Sequence, residues 1–298
     1  MNPSTASEAT VMKTMQSLGA VIGPTALVTA LLFYFGWART QSQAQYLGLD
    51  VTLFGFSSQD YILQSTYSVL VPLGELLLGG LGLLWLHRAV SQLVGRCGDR
   101  PFWPWLEGSA AVAGGSLFGI GLLKNNDRYP TDAGLLLTPL FLTLGVGLVS
   151  YALFIHRQRS AARAGPESTV TPAARGGPPL STILVAMLIA VGLVWEVANY
   201  AEIKGRELGA FLADQLEFQP GVVVYSPKRL HIDTGGVVET GFPEPESAYG
   251  FRYTGLKLLF RANDRFFLVP ESWTVDGGTT IVLRDSDELR MEFIRSGR

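Results

Sequence analysis

Residues Tyr61 to Leu86 read YILQSTYSVLVPLGELLLGGLGLLWL, a run of 26 positions in which Glu75 is the one charged side chain. As a helix this run exceeds the roughly 20 residues that cross about 30 Å of hydrocarbon. Four further apolar runs accompany it, at Gln16 to Ala38, Ser109 to Leu123, Ala133 to Ile155 and Gly176 to Trp195. The expected fold is an α-helical membrane bundle of five transmembrane helices plus a small C-terminal antiparallel β domain. The expected divisions are 1–201 for the five-span domain with a linker at 157–179, 202–219 for a juxtamembrane helix, and 220–298 for the β-rich domain.

Composition points the same way. Hydrophobic residues make up 48% of the 298 positions and charged residues 16%, with a mean hydropathy of +0.26. Too little polar surface remains to solvate a globule of that size on every side. A net charge of −2 offers no basic footprint for nucleic acid. Cys97 is the single cysteine, which excludes an intrachain disulfide and a cysteine-based metal cluster. Lys13 precedes the first run, whose apolar core from Leu18 to Trp37 is longer than a signal-peptide core, so an uncleaved anchor is expected.

Arginine and lysine near the helix ends set the expected orientation. With the N-terminus inside, cytoplasmic segments carry Lys13, then Arg88, Arg96 and Arg100, then Arg157, Arg159, Arg163 and Arg175. The outer segments carry Arg39, Lys124, Arg128, Lys204 and Arg206, a smaller basic load. The third run is the shortest, and Trp105 must help it enter the interface. Five spans with the C-terminal domain outside follow.

The connections carry their own signals. Tyr46 to Phe56 is apolar and aromatic without a helical period, which suggests a segment lying against the outer membrane surface, with an ordinary hydrophobic loop packed on neighbouring helices favoured over a ligand lid. Ser57-Ser-Gln-Asp60 resembles a capping box opening the second span. Arg157 to Pro179, rich in Pro, Gly, Ala and Arg, reads as a disordered linker able to touch anionic lipid.

Glu75 stands near the midpoint of its span, where a carboxylate costs several kcal/mol unless neutralised or paired. Ser65, Ser68, Pro72, Glu75, Gly79 and Gly82 recur at spacings of three and four and so share one helical stripe. Glu75 is therefore expected to face other helices, with Pro72 freeing a carbonyl one turn earlier. Its candidate neutral neighbours are Thr25 and Thr29 of the first span and Thr143 of the fourth. The expected polar site is Glu75, Pro72, Ser68 and Thr143. It serves either as a proton- or cation-handling site or as protonated interhelical glue, and the second is favoured because transporters usually bury several ionisable groups. The glycines Gly19-xxx-Gly23, Gly79-Gly80-x-Gly82 and Ala111-xxx-Gly115-xxx-Gly119 read as close helix contacts.

Beyond Pro220 the period changes. Val222–Tyr225, Arg229–Ile232, Phe251–Arg261, Arg265–Val269, Thr279–Leu283 and Leu289–Ile294 read as strands, with Gly235 to Gly250 as a mobile loop. Before them, Glu196 to Leu216 keeps helical spacing and extends the last span. Catalytic signatures are missing. His231 and Asp233 share a face of an expected strand but no nucleophile elbow accompanies them. Asp285, Asp287 and Glu288 lack the spacing of a calcium loop. No catalytic residue, metal site or cofactor is expected.

At Gly48-Leu-Asp50, Phe56-Ser-Ser-Gln-Asp-Tyr61 and Tyr253-Thr-Gly-Leu-Lys-Leu258, and in its five-span layout with a β tail, the chain resembles uncharacterised multi-pass membrane proteins of GC-rich Gram-positive bacteria. The resemblance implies no particular activity. The expected function is a non-enzymatic partner-binding or envelope-sensing membrane module, and the rival is a small transporter or channel subunit using Glu75. The implied partners are the lipid bilayer and a protein contact at the C-terminal domain, with the oligomeric state left open.

Overall fold

A computed structural model describes residues 3–97, 102–124, 132–163, 180–242 and 248–295; side chains are described at 23–93, 103–124, 132, 134–160, 180–242 and 248–295. Most of the linker (164–179) and the tip of the 235–250 loop (243–247) lie outside the described residues. Five helices lead the chain: α1 Pro3–Tyr46, α2 Ser58–Cys97, α3 Phe102–Lys124, α4 Asp132–Arg163 and α5 Leu180–Asp214. Among the described residues four helices are long and apolar enough to cross a membrane: Ser58–Leu93, Trp103–Lys124, Gly134–Ser160 and Leu180–Asp214. Between 6% and 28% of their apolar windows is buried within the protein, so their leucine-rich faces turn outward and require lipid as solvent. α3 meets the length by taking in Trp103 and Trp105.

The chain divides into two compact units, Tyr67–Tyr200 and the pair Met1–Thr66 with Ala201–Arg298. In the first, α3 and α4 run antiparallel at backbone contact distance. A Cβ on Gly114 would meet Gly145 O at 2.9 Å, and one on Gly121 would meet Leu142 Cγ at 2.9 Å. The glycines at the contact are thus Gly114, Gly121 and Gly145, whereas Gly115 and Gly119, expected there, face open space, as do Gly79, Gly80 and Gly82. Small residues are used as expected for helix approach in lipid, but on a neighbouring stripe of α3.

The second unit joins the end of α1, the start of α2 and the end of α5 to the β domain. Gly36 admits the backbone of Tyr61 and Gly205 admits that of Arg39, where an added Cβ would overlap Tyr61 O and Arg39 O. Arg39 donates from Nη1 to Gln64 Oε1 at 2.7 Å, tying α1 to the start of α2. The capping box forms as its spacing suggests: Ser57 N–H and Oγ–H both donate to Asp60 Oδ2 at 2.8 Å, and Asp60 N–H returns a bond to Ser57 Oγ at 3.3 Å.

Six strands follow: β1 Gly221–Ser226, β2 Val238–Gly241, β3 Phe251–Ala262, β4 Arg265–Pro270, β5 Ile281–Arg284 and β6 Arg290–Ile294. All pairings are antiparallel, in the order β5-β4-β3-β1-β6, with β2 also paired to β3. β3 organises the sheet because one of its edges serves β2 over Phe251–Thr254 and then β4 from Leu256 onward. The change of partner falls at Gly255, with φ +84°, where a side chain would overlap Gly236 O at 2.1 Å; only glycine fits that backbone and that approach.

Two strand expectations are corrected. Arg229–Ile232 is not a strand, and Val238–Gly241, inside the expected loop, is one. After Pro227 the chain turns away: Ser226 Oγ bonds Lys228, Leu230 N–H donates to Tyr253 Oη at 2.7 Å, and His231 takes a left-handed φ of 51°. His231 and Asp233 therefore lack the strand alternation that would place them on one face.

The sheet is buried on both sides. Val222, Val224, Tyr253, Leu256, Phe266 and Leu268 form one core. Leu259, Ala262, Phe267, Val269 and Trp273 form the other, and it is completed by Ala44, Leu47, Val51, Phe54 and Leu216. The Tyr46–Phe56 connection thus plugs the sheet through Leu47, Val51 and Phe54. Phe54, 1% exposed, packs edge-on against Phe260 and Phe267 at 5.1 and 5.4 Å. Asp50 caps the short 3-10 turn Val51–Phe54, and the bonds it accepts from Thr52 Oγ1 (2.6 Å) and Thr52 N–H (2.8 Å) hold its carboxyl below the ordinary value. Arg265 donates to Leu53 O at 2.8 Å and Asn263 to Gly55 O at 2.7 Å, so polar bonds hold the plug in place.

Candidate intramembrane polar sites

Ser68 and Pro72 are buried on α2, and Ser68 Oγ has no hydrogen-bond partner among the described residues. Three residues beyond Pro72 the burial ends. Glu75 is exposed on the helix surface, with Gly79 and Gly82 beside it open. Among the described residues the cover of this stripe stops at Pro72, and none of them packs over Glu75. Thr25 and Thr29 line a groove with Ser58 and Ile62 at the first turns of α2. Thr143 bonds Pro139 O within its own helix, and its methyl lies where a Cβ on Gly192 of α5 would sit, at 2.6 Å. Of the four expected site residues, Ser68 and Pro72 lie together, and Thr143 belongs to a different contact.

That second contact is a polar seam between α4 and α5. Pro139, fully buried inside α4, has no N–H, so the carbonyl of Leu135 four residues earlier has no intrahelical donor. Asn199 of α5, 6% exposed, supplies one: its Nδ2 donates to Leu135 O at 2.6 Å. Gly192, Glu196 and Asn199 lie at spacings of four and three on one stripe of α5. Glu196 has one carboxyl oxygen buried without a partner among the described residues. Thr138 on the facing helix is also buried and bonds Gly134 O at 2.8 Å. The seam thus holds a carboxylate, an amide and two hydroxyls on candidate membrane spans.

A third cluster lies where α3 begins and α4 ends. Arg159, with 5% of its side chain exposed, donates to Glu107 Oε1 at 2.5 Å, and His156 Nδ1 meets Glu107 Oε2 at 3.1 Å. The guanidinium also stands 6.0 Å from the ring centroid of buried Trp103. Glu107 is 11% and His156 68% exposed, so the carboxylate orients a buried cation on one side and a solvent-facing ring on the other.

These two clusters were not found from spacing. In the sequence Arg159 counts only toward the basic load at a helix end, and Glu196 to Leu216 reads only as an extension of the last span. The usable signal was Pro139, because a proline inside a span always leaves one carbonyl needing a donor from elsewhere. Among the described residues no cluster of three His, Cys, Asp or Glu could hold a metal ion. Asp285 pairs with Arg261 at 2.9 Å on the surface. The chain matches no protein-family model, and no curated protein or solved structure matches it.

Proposed function

We propose that this is a five-span membrane protein, with α1 as the first span and the N-terminus cytoplasmic, whose extracytoplasmic β domain is a non-enzymatic module that binds a partner or senses an envelope condition. The observation that carries this reading is the shared core. Phe54, from the connection between α1 and α2, and Leu216, beyond α5, pack into the sheet, so a partner that shifts the sheet loads three helix ends at once. β6 is an edge strand with exposed Phe293 and Ile294, the kind of unpaired apolar edge that protein partners occupy. The arginine distribution supports the orientation.

A transporter or channel reading using Glu75 gains support from one finding, the second carboxylate Glu196 on a candidate span. Topology and partner are tested together. In a Cys97→Ser background, Ser286→Cys reacts with an impermeant thiol reagent on intact cells and Gln158→Cys does not. Cross-linking through a cysteine at Phe293 in native membranes then captures a discrete protein. The reverse labelling pattern overturns the orientation and the sensing role, and proton or cation flux from reconstituted protein favours the transporter.

A further inference from the structure

We infer that the groove between α3 and α4, at the end holding Glu107 and Arg159, is a binding site for one anionic phospholipid. Candidate spans begin at Trp103 and end at Ser160, so the groove lies at headgroup depth whichever way the chain is oriented. Its volume of about 560 Å³ suits a headgroup and the first part of an acyl chain. Ala111, Ala152 and Leu153 give the deeper wall no polar atom beyond the backbone, while His156, Arg159 and Ser160 line the mouth. A lipid has this division of polarity; a free phosphate leaves the apolar half unused.

Charge then selects among lipids. Glu107 contributes one negative charge against the positive charges of Arg157 and Arg159, and His156 adds to the positive side when protonated. A buried arginine held by a carboxylate and an aromatic ring is a fixed charge, already ordered before the ligand arrives. The Ser160 hydroxyl and the exposed His156 ring supply hydrogen bonds to phosphate oxygens. Basic pockets between membrane helices recognise anionic headgroups by this combination. Glu107 acts here as a positioning residue, because its carboxylate already engages Arg159 and His156.

The full chain is tested in nanodiscs of phosphatidylcholine containing a minor fraction of phosphatidylglycerol, with bound lipid read by native mass spectrometry. One phosphatidylglycerol per chain is expected, preferred over phosphatidylcholine by about fivefold or more. Ser160→Leu and Leu153→Trp, both at exposed positions of α4, block the mouth and the wall and abolish the preference while leaving the thermal midpoint in pure phosphatidylcholine unchanged. Arg157→Gln, outside the groove, weakens it by a smaller factor. Equal retention of the two lipids overturns the site, as does unchanged preference in the blocking variants. Competition by glycerol 3-phosphate as effective as that by lipid makes it a phosphate site and overturns the proposal. Complete loss in Arg157→Gln makes it a diffuse basic surface and overturns it too.

Discussion

Asn199 and Pro139 form a pair whose coupling can be measured. In the native chain Leu135 O has Asn199 Nδ2 at 2.6 Å in place of the N–H that Pro139 lacks. Interhelical hydrogen bonds in membranes average about 0.6 kcal/mol and reach about 1.7. This one belongs near the upper end, since the donor residue Asn199 is buried and the acceptor has no helical donor to fall back on. Asn199→Leu, close to isosteric, should therefore cost about 1.5 kcal/mol. With Pro139→Ala in place, an N–H at position 139 reaches Leu135 O, and the same Asn199 substitution should cost under about 0.5 kcal/mol. The packing lost with the proline ring occurs in both arms and cancels, leaving a coupling of about 1 kcal/mol. Reversible unfolding in mixed micelles, run on the four proteins, reads it. Additivity within about 0.3 kcal/mol would refute the claim that Asn199 replaces the missing proline donor.

Three further outcomes are expected. Phe54→Ala, although it lies in the connection between two helices, should destabilise the sheet by about 3 to 5 kcal/mol, seen as early loss of protease resistance in the 221–294 region; loss confined to the helices would contradict the plug. Burial raises the Tyr253 hydroxyl above its ordinary value of 10.0, so the folded state favours the neutral ring. Its contribution is complete below pH 10.0 and is lost as pH rises through the higher folded value; Tyr253→Phe should flatten that alkaline decline in a pH series of melts, and an unchanged slope would dismiss the assignment. Glu75→Gln keeps the shape of the side chain and removes the ionisable group, so insertion and melting temperature should stay as in the wild type, with neither protein passing protons or cations after reconstitution. Flux in the wild type that disappears in this variant without loss of stability would instead make Glu75 a transport residue.

The long apolar helices and the sheet were legible because both depend on local pattern. Long apolar runs force helices in lipid, and β-branched alternation beyond Pro220 forces strands. Ser57 and Asp60 were readable for the same reason, being three residues apart. What escaped depended on partners far along the chain. Phe54 looks like a membrane-facing aromatic until Phe260 and Phe267 are beside it. Arg229–Ile232 alternates like a strand, but its Leu230 N–H donates to Tyr253 Oη and its chain bends at Pro227. The Glu75 stripe was placed correctly on α2, yet spacing gives the angle of a residue about its helix and says nothing of whether another helix stands there. Glu196 and Asn199 were hidden by their charge and polarity, which made them read as the extension of the last span.

The shared core also has a consequence for how the protein is made. Asn263 and Arg265 bind the plug across 208 and 212 positions of sequence, so the plug leaves the ribosome long before the strands that receive it exist. Contacts of such separation form late, which in the membrane reading proposed above means after the intervening helices have been inserted. A chain with one helix threaded the wrong way would hold Phe54 and its socket on opposite sides of the bilayer, and one face of the sheet would stay open to proteolysis. In the membrane reading proposed above, closure of the β domain is thereby a check on assembly: the sheet is stable only if the connection between α1 and α2 ended up on its side.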